Sequence, residues 1–105
     1  MKTGLRNRHI YFFGSRSLGW YKLGVAFNPD SRMRDLQAAL PFEVEMIISR
    51  KLNYAEGCQA FRVEDELQRK FSSFRARGEW FQINHNVNVK DFVKSLKERV
   101  AFYNA

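Results

Sequence analysis

Apolar and polar residues alternate early in the chain with the period of two that an extended strand produces. His9-Ile10-Tyr11-Phe12-Phe13 is aromatic and β-branched and predicts a strand, and residues 14–19, rich in Gly and Ser, form a connection of hairpin length. A second strand is expected over Trp20 to Phe27. Tyr21, Leu23, Val25 and Phe27 fall on one face of it, and Trp20, Lys22, Gly24 and Ala26 on the other. The second face is small and polar and is the candidate working surface. Asn28-Pro29-Asp30 then combines an N-cap, a first-turn proline and a first-turn acid, the signature of a helix start. Met33, Leu36 and Leu40 supply the apolar stripe of that helix, and Pro41 is expected to end it.

A third strand is expected over residues 42–49, with Val44, Met46 and Ile48 on one face. The pattern then changes to helical from about Tyr54 to Phe74, where Phe61, Leu67, Phe71 and Phe74 recur at intervals of three, four or their multiples. Gly57 weakens the start of this helix and Gly78 is read as its end. Residues 80–83 are short and apolar, and residues 84–88 read as a polar connector. Val89, Phe92, Val93, Leu96, Val100 and Tyr103 line one side of a last helix, with Lys90, Lys94, Lys97, Glu98 and Arg99 covering the rest. The expected architecture is one α+β domain over residues 1–105, in the order strand, strand, helix, strand, helix, helix.

Composition narrows the class. With 105 residues, 45% of them hydrophobic and ten of them Phe, the chain can bury one core but not two. It contains no apolar run of membrane-spanning length, and its first residues lack the apolar centre of a signal peptide, so an intracellular protein with no membrane association is expected. The single Cys58 excludes an internal disulfide, and the spacing of His9, His85 and Cys58 offers no zinc site. Eighteen Lys and Arg against eleven Asp and Glu give +7. That excess favours a polyanionic partner, because each neutralised phosphate releases counterions. Arg69, Lys70, Arg75 and Arg77 concentrate part of it and are candidate nucleic-acid contacts. Arginine outnumbers lysine eleven to seven, as suits bidentate phosphate contact.

Four residues could carry chemistry. Glu64 stands three residues after Phe61 and three before Leu67, on or beside an apolar stripe, where a carboxylate needs a partner, a proton or a cation. Its bland alternative is a stripe-edge residue that reaches water or pairs with Arg32. Arg32 lies in the first turns of a capped helix, where backbone N–H groups already favour an anion; the alternative is a solvated arginine. Tyr11 can offer a hydroxyl, or can be a core residue with a wet tip. Lys22 stands on the polar face beside Gly24, whose missing side chain permits close approach of a backbone or ligand.

These residues fall into an ordered set: Ile10-Tyr11-Phe12, Tyr21-Lys22-Leu23-Gly24, Asn28-Pro29-Asp30-Ser31-Arg32, Val63-Glu64 and Gly78-Glu79-Trp80-Phe81. The set resembles the GIY-YIG nuclease superfamily, and within it the phage- and prophage-associated branch whose second motif reads Lys-Ile-Gly. The likeness spans Ile10 to Phe81. It implies a three-stranded antiparallel sheet flanked by helices, and hydrolysis of phosphodiester bonds in nucleic acid, with DNA the expected form, using one divalent cation, Mg²⁺ or Mn²⁺. By similarity, Glu64 holds the metal, Arg32 grips the scissile phosphate and Tyr11 orients or deprotonates the attacking water. A tyrosine serves as a base at neutral pH only beside a cation, which Lys22 or the metal supplies.

Two positions depart from the superfamily. Lys22 replaces a tyrosine found in many members, and Gln68 stands where relatives in this branch often carry histidine. Glutamine exchanges no proton near neutral pH. Gln68 therefore favours the alternative reading, a catalytically weakened nucleic-acid-binding module on the same fold; an interaction subunit that docks through its aromatic C-terminal helix is a third reading. Target choice in the superfamily usually comes from an attached domain or long insertion, so weak sequence specificity is expected.

Overall fold

The computed structural model describes residues 8–53, 59–83 and 88–105. Strands β1 (Arg8–Ser15) and β2 (Trp20–Ala26) form an antiparallel hairpin in which Tyr11 lies opposite Gly24 and Phe13 opposite Lys22. Helix α1 (Pro29–Ala39) starts as its sequence dictates. The Asn28 side chain accepts a hydrogen bond from the Ser31 N–H at 3.1 Å, and Pro29 fills the first turn, where it has no N–H to waste. Leu40 is the C-cap, one residue ahead of Pro41. Met33, Leu36 and Leu40 are only half-buried, and Pro29 alone in this helix is fully buried. Strand β3 (Glu45–Leu52) returns antiparallel to β1, and helix α2 (Gln59–Lys70) follows, closed by a 3-10 turn over Ser72–Phe74. Strands β4 (Arg75–Arg77) and β5 (Trp80–Gln82) and helix α3 (Asn88–Asn104) complete the described chain.

The α+β class and the order of the long elements match expectation, but the sheet does not. Among the described residues it has five strands in the order β3-β1-β2-β5-β4, where three were expected. The extra pair is a hairpin of three-residue strands that adds to the free edge of β2, with Lys22 opposite Trp80. Three residues are too short to show alternation, and the β2 edge rather than local preference holds them extended. Gly78, read from sequence as a helix end, instead adopts a positive φ of 58° in the turn of this hairpin.

β3 departs in a second way. Phe12 pairs with Ile48 and Phe13 with Met46, so Ile47 is the extra residue of a bulge. Met46 and Ile48 thereby face opposite sides of the sheet, although simple alternation puts them together.

One face of the sheet carries the main core. Ile10, Phe12, Tyr21 and Leu23 from the hairpin meet Ala60, Val63 and Leu67 of α2 and Val89, Phe92, Leu96 and Val100 of α3. Phe92 is its hub, with ring centroids 4.1 Å from Phe12, 4.4 Å from Phe71 and 5.2 Å from Phe81. The buried stripe of α2 therefore runs through Ala60, Val63, Leu67 and on to Phe71. Phe61, expected on that stripe, is exposed and lies against the Arg8 guanidinium. Tyr11, Phe13 and Lys22 alternate onto the opposite face, where α1 packs across β1, β2 and β3. The expected positions Tyr54, Gly57, Cys58 and His85 lie outside the described residues.

Candidate active site

Tyr11 is buried to 2% exposure and stacks on Phe13, with centroids 5.1 Å apart and planes 5° from parallel. Its hydroxyl has room because residue 24 is glycine. A Cβ on Gly24 would lie 2.2 Å from the Tyr11 hydroxyl oxygen and 2.4 Å from Cζ, distances that no packed structure accepts. The close approach expected at Gly24 is therefore made by the Tyr11 ring. Strand pairing sets it up, since the two residues are direct partners on one face.

Burial raises the pKa of the Tyr11 phenol above its ordinary 10.0. A hydrogen bond with the Arg32 side chain and the charge of that guanidinium pull it back, while the charges of Glu79 and Glu64 push it further up. Arg32 projects from the first turns of α1, and it is exposed. It reaches the phenol on one side and solvent on the other.

Lys22 is 6% exposed, and an ammonium at that depth requires a partner. Glu79, in the β4–β5 turn, supplies it: Lys22 Nζ donates to Glu79 Oε1 at 2.8 Å. Glu64 comes from α2, immediately after the buried Val63, which leaves its carboxylate half-buried at the edge of the helix stripe. Its pKa is raised above the ordinary 4.5, first by burial and then by the charge of Glu79, with Lys22 opposing and Asp65 adding a smaller push.

Tyr11, Lys22, Arg32 and Glu64 thus share one electrostatic neighbourhood, although they stand on four different elements. Glu79 is its fifth member. In the sequence Glu79 appears in the Gly78-Glu79-Trp80-Phe81 motif, with no contact assigned to it. Its partner is Lys22, 57 positions away, and Arg75 donates to the Gly78 carbonyl at 2.6 Å. The only signal for it was its place between Gly78 and Trp80.

The other basic candidates divide. Arg75 and Arg77 are exposed on β4, in the hairpin that carries Glu79. Arg69 pairs with Asp65 on its own helix at 3.1 Å, and Lys70 donates to Ser95 of α3 at 2.8 Å. Those two contacts are directed within α2 and toward α3, not into the Tyr11 cluster. Gln68 is half-buried on α2, one turn beyond Glu64.

The donor set suits a hard divalent cation. Glu64 and Glu79 repel one another at a partly buried position with one ammonium to offset them, and a cation relieves that repulsion. Among the described residues no group of three or more His, Cys, Asp or Glu converges into a full protein cage. Glu64, with Glu79 at hand, would therefore hold an ion that keeps several waters, which is the habit of Mg²⁺.

Fold and site together define a small basic α+β domain that brings a phenol, an ammonium, a guanidinium and two carboxylates into one neighbourhood. The model of one family, the T5orf172 domain, matches residues 8–101, and the chain belongs to that family. The T5orf172 domain is phage-associated and nucleic-acid-related. Comparison with curated proteins and with solved structures gives no match. Among the described residues no helix is long and apolar enough to cross a membrane.

Proposed function

We propose that this protein is a metal-dependent endonuclease of the GIY-YIG type, hydrolysing phosphodiester bonds in nucleic acid, with DNA the expected substrate and little sequence preference. The observation that carries the proposal is the convergence of five separate parts of the chain: Lys22 Nζ donates to Glu79 Oε1 at 2.8 Å, Arg32, Glu64 and Glu79 all act on the Tyr11 phenol, and Glu79 and Lys22 act on the Glu64 carboxylate.

Each residue then has a task. Arg32 binds a non-bridging oxygen of the scissile phosphate through its exposed guanidinium, an anion site reinforced by the α1 backbone. Glu64 would hold the divalent ion, Mg²⁺ or Mn²⁺. When bound, that ion supplies Lewis-acid stabilisation of the charge growing on the phosphate oxygens. Tyr11 is neutral near pH 7 because its pKa lies above 10.0. Its hydroxyl therefore orients the attacking water by hydrogen bonding and does not take the water's proton as a phenolate. Water adds at phosphorus and releases a proton to solvent, the bond to the leaving sugar oxygen breaks and that oxygen takes up a proton from solvent, and a phosphate monoester and a sugar hydroxyl result. Lys22 acts through charge: it fixes Glu79 and favours the ionised form of Glu64.

The test is cleavage of a labelled duplex with Mg²⁺ or Mn²⁺ and with chelator. Wild type cuts only with metal, and Arg32→Ala retains the fold but cuts at least about a hundredfold more slowly, the usual cost of losing a group that stabilises charge in the transition state. Metal-independent cutting, or full activity in Arg32→Ala, would refute this assignment. Salt-sensitive binding without any cleavage would favour the binding-module reading that Gln68 supports.

A further inference from the structure

On the far side of the sheet from the Tyr11 cluster, an open groove of about 510 Å³ runs between α3, β3 and the β1–β2 turn. Arg16, Lys90, Lys94 and Lys97 line it, Ile47 and Val93 form part of its floor, and none of the described lining residues is acidic. The three lysines recur at intervals of four and three along α3, so they form one stripe, spaced by about 6 Å and then about 4.5 Å along the helix axis. All three are exposed. The acids of that part of the helix, Asp91 and Glu98, lie about a quarter-turn away from the stripe. Arg16 closes one end and also pairs with Glu45.

We propose that this groove is a second nucleic-acid-binding surface, which takes a sugar–phosphate backbone independently of the catalytic cluster. A row of ammonium groups at intervals close to phosphate spacing matches a linear polyanion, and the apolar floor offers contact to the sugars between the phosphates. The residues on the two sides have different chemistry. The cluster mixes cations with two carboxylates, as a reaction site does, whereas the groove lining is cationic and apolar, as a holding surface is. Two such surfaces on opposite faces let one domain grip two segments of nucleic acid, or two arms of a branched one. Chain charge agrees, since the net +7 exceeds what a single active-site phosphate requires.

The experiment measures DNA binding by fluorescence anisotropy in chelator, against salt concentration, for wild type and for the triple variant Lys90→Gln, Lys94→Gln, Lys97→Gln. The negative slope of log K on log salt should shrink by about 2 to 3, since each phosphate contact contributes about 0.9 for duplex DNA. The corresponding triple Lys→Arg variant should keep the wild-type slope. Acetylation footprinting of unmodified wild-type protein supplies a readout that needs no variant: bound duplex should protect Lys90, Lys94 and Lys97. An unchanged slope together with unprotected lysines overturns the proposal. Protection by polyglutamate but not by DNA also overturns it, assigning the groove to an acidic protein partner. Because both readouts are made without metal, failure of the nuclease reading leaves their result intact. Conversely, loss of the groove's contribution would leave metal-dependent cutting of a short duplex in place.

Discussion

Replacing Gly24 by alanine adds one methyl group at the point where the candidate site is most tightly built. The backbone tolerates it, since Gly24 is paired in mid-strand and is not among the glycines with positive φ. Lower unfolded-state entropy would by itself stabilise the variant by about 0.4–1 kcal/mol. Against that gain, the new Cβ lies 2.2 Å from the Tyr11 hydroxyl oxygen and 2.4 and 2.9 Å from two atoms of its ring. The ring is buried and stacked on Phe13, so it cannot swing aside freely. Overpacking of this kind costs about 1–3 kcal/mol, and steric conflict wins. Each kcal/mol lost lowers Tm by about 4–8 °C in a domain of this size. Activity should fall further than stability, because a hydroxyl displaced by roughly 1 Å can cost about a hundredfold in rate. Thermal denaturation followed by circular dichroism and single-turnover cleavage report the two effects. In a Tyr11→Leu background, Gly24→Ala should cost almost no stability, because the ring it strikes is gone. Wild-type Tm and rate in Gly24→Ala, or the same Tm loss in both backgrounds, would refute the packing argument.

Four further outcomes are expected. Glu64 has its folded-state pKa raised by burial and by Glu79, so ionising it destabilises the fold: the protonated form's stability is fully present below about 4.5 and is lost as pH rises through the folded pKa. Glu64→Gln should therefore raise Tm at neutral pH in chelator, and the gain should vanish on acidification, as paired thermal melts at several pH values will read. In a Lys22→Met background the gain from Glu64→Gln at neutral pH in chelator should be larger, because the ammonium that offsets the Glu64 charge is gone, and an unchanged gain would separate Lys22 from Glu64. Tyr11 and Tyr21 both have pKa values raised by burial; the stability they confer is complete below 10.0 and is lost as pH rises through their folded values, so alkaline denaturation should begin above pH 10 with tyrosinate absorbance rising alongside. Phe92→Ala should cost about 3–5 kcal/mol in denaturant unfolding, because three aromatic neighbours lose their shared partner.

Much of the fold was legible because its long elements announce themselves locally. The β1–β2 alternation, the Asn28-Pro29 start of α1 and the apolar stripe of α3 each lie within one window of sequence, and each is found where that window puts it. What failed is non-local. The β4–β5 hairpin exists because β2 offers an edge 58 to 62 residues before its β5 partners, and the Ile47 bulge is set by how β3 must fit β1. Phe61 matched a helical period yet faces solvent, because the true stripe passes through its neighbour Ala60. In the candidate site, Glu64 was legible from its place beside that stripe, and Arg32 from the capped helix start. Tyr11 and the grouping of the four rested on resemblance. Glu79 was not legible as a site residue, since only the hairpin's docking brings its carboxylate to Lys22.

The central claim is that Glu64 holds the metal on which phosphodiester hydrolysis depends. Supercoiled plasmid incubated with Mg²⁺ or Mn²⁺ and either wild type or Glu64→Gln tests it most directly, because the amide keeps the shape and removes the charge. Nicking by wild type that chelator abolishes, with none detectable in a folded Glu64→Gln, is the predicted result. Equal metal-dependent nicking by both proteins would contradict it.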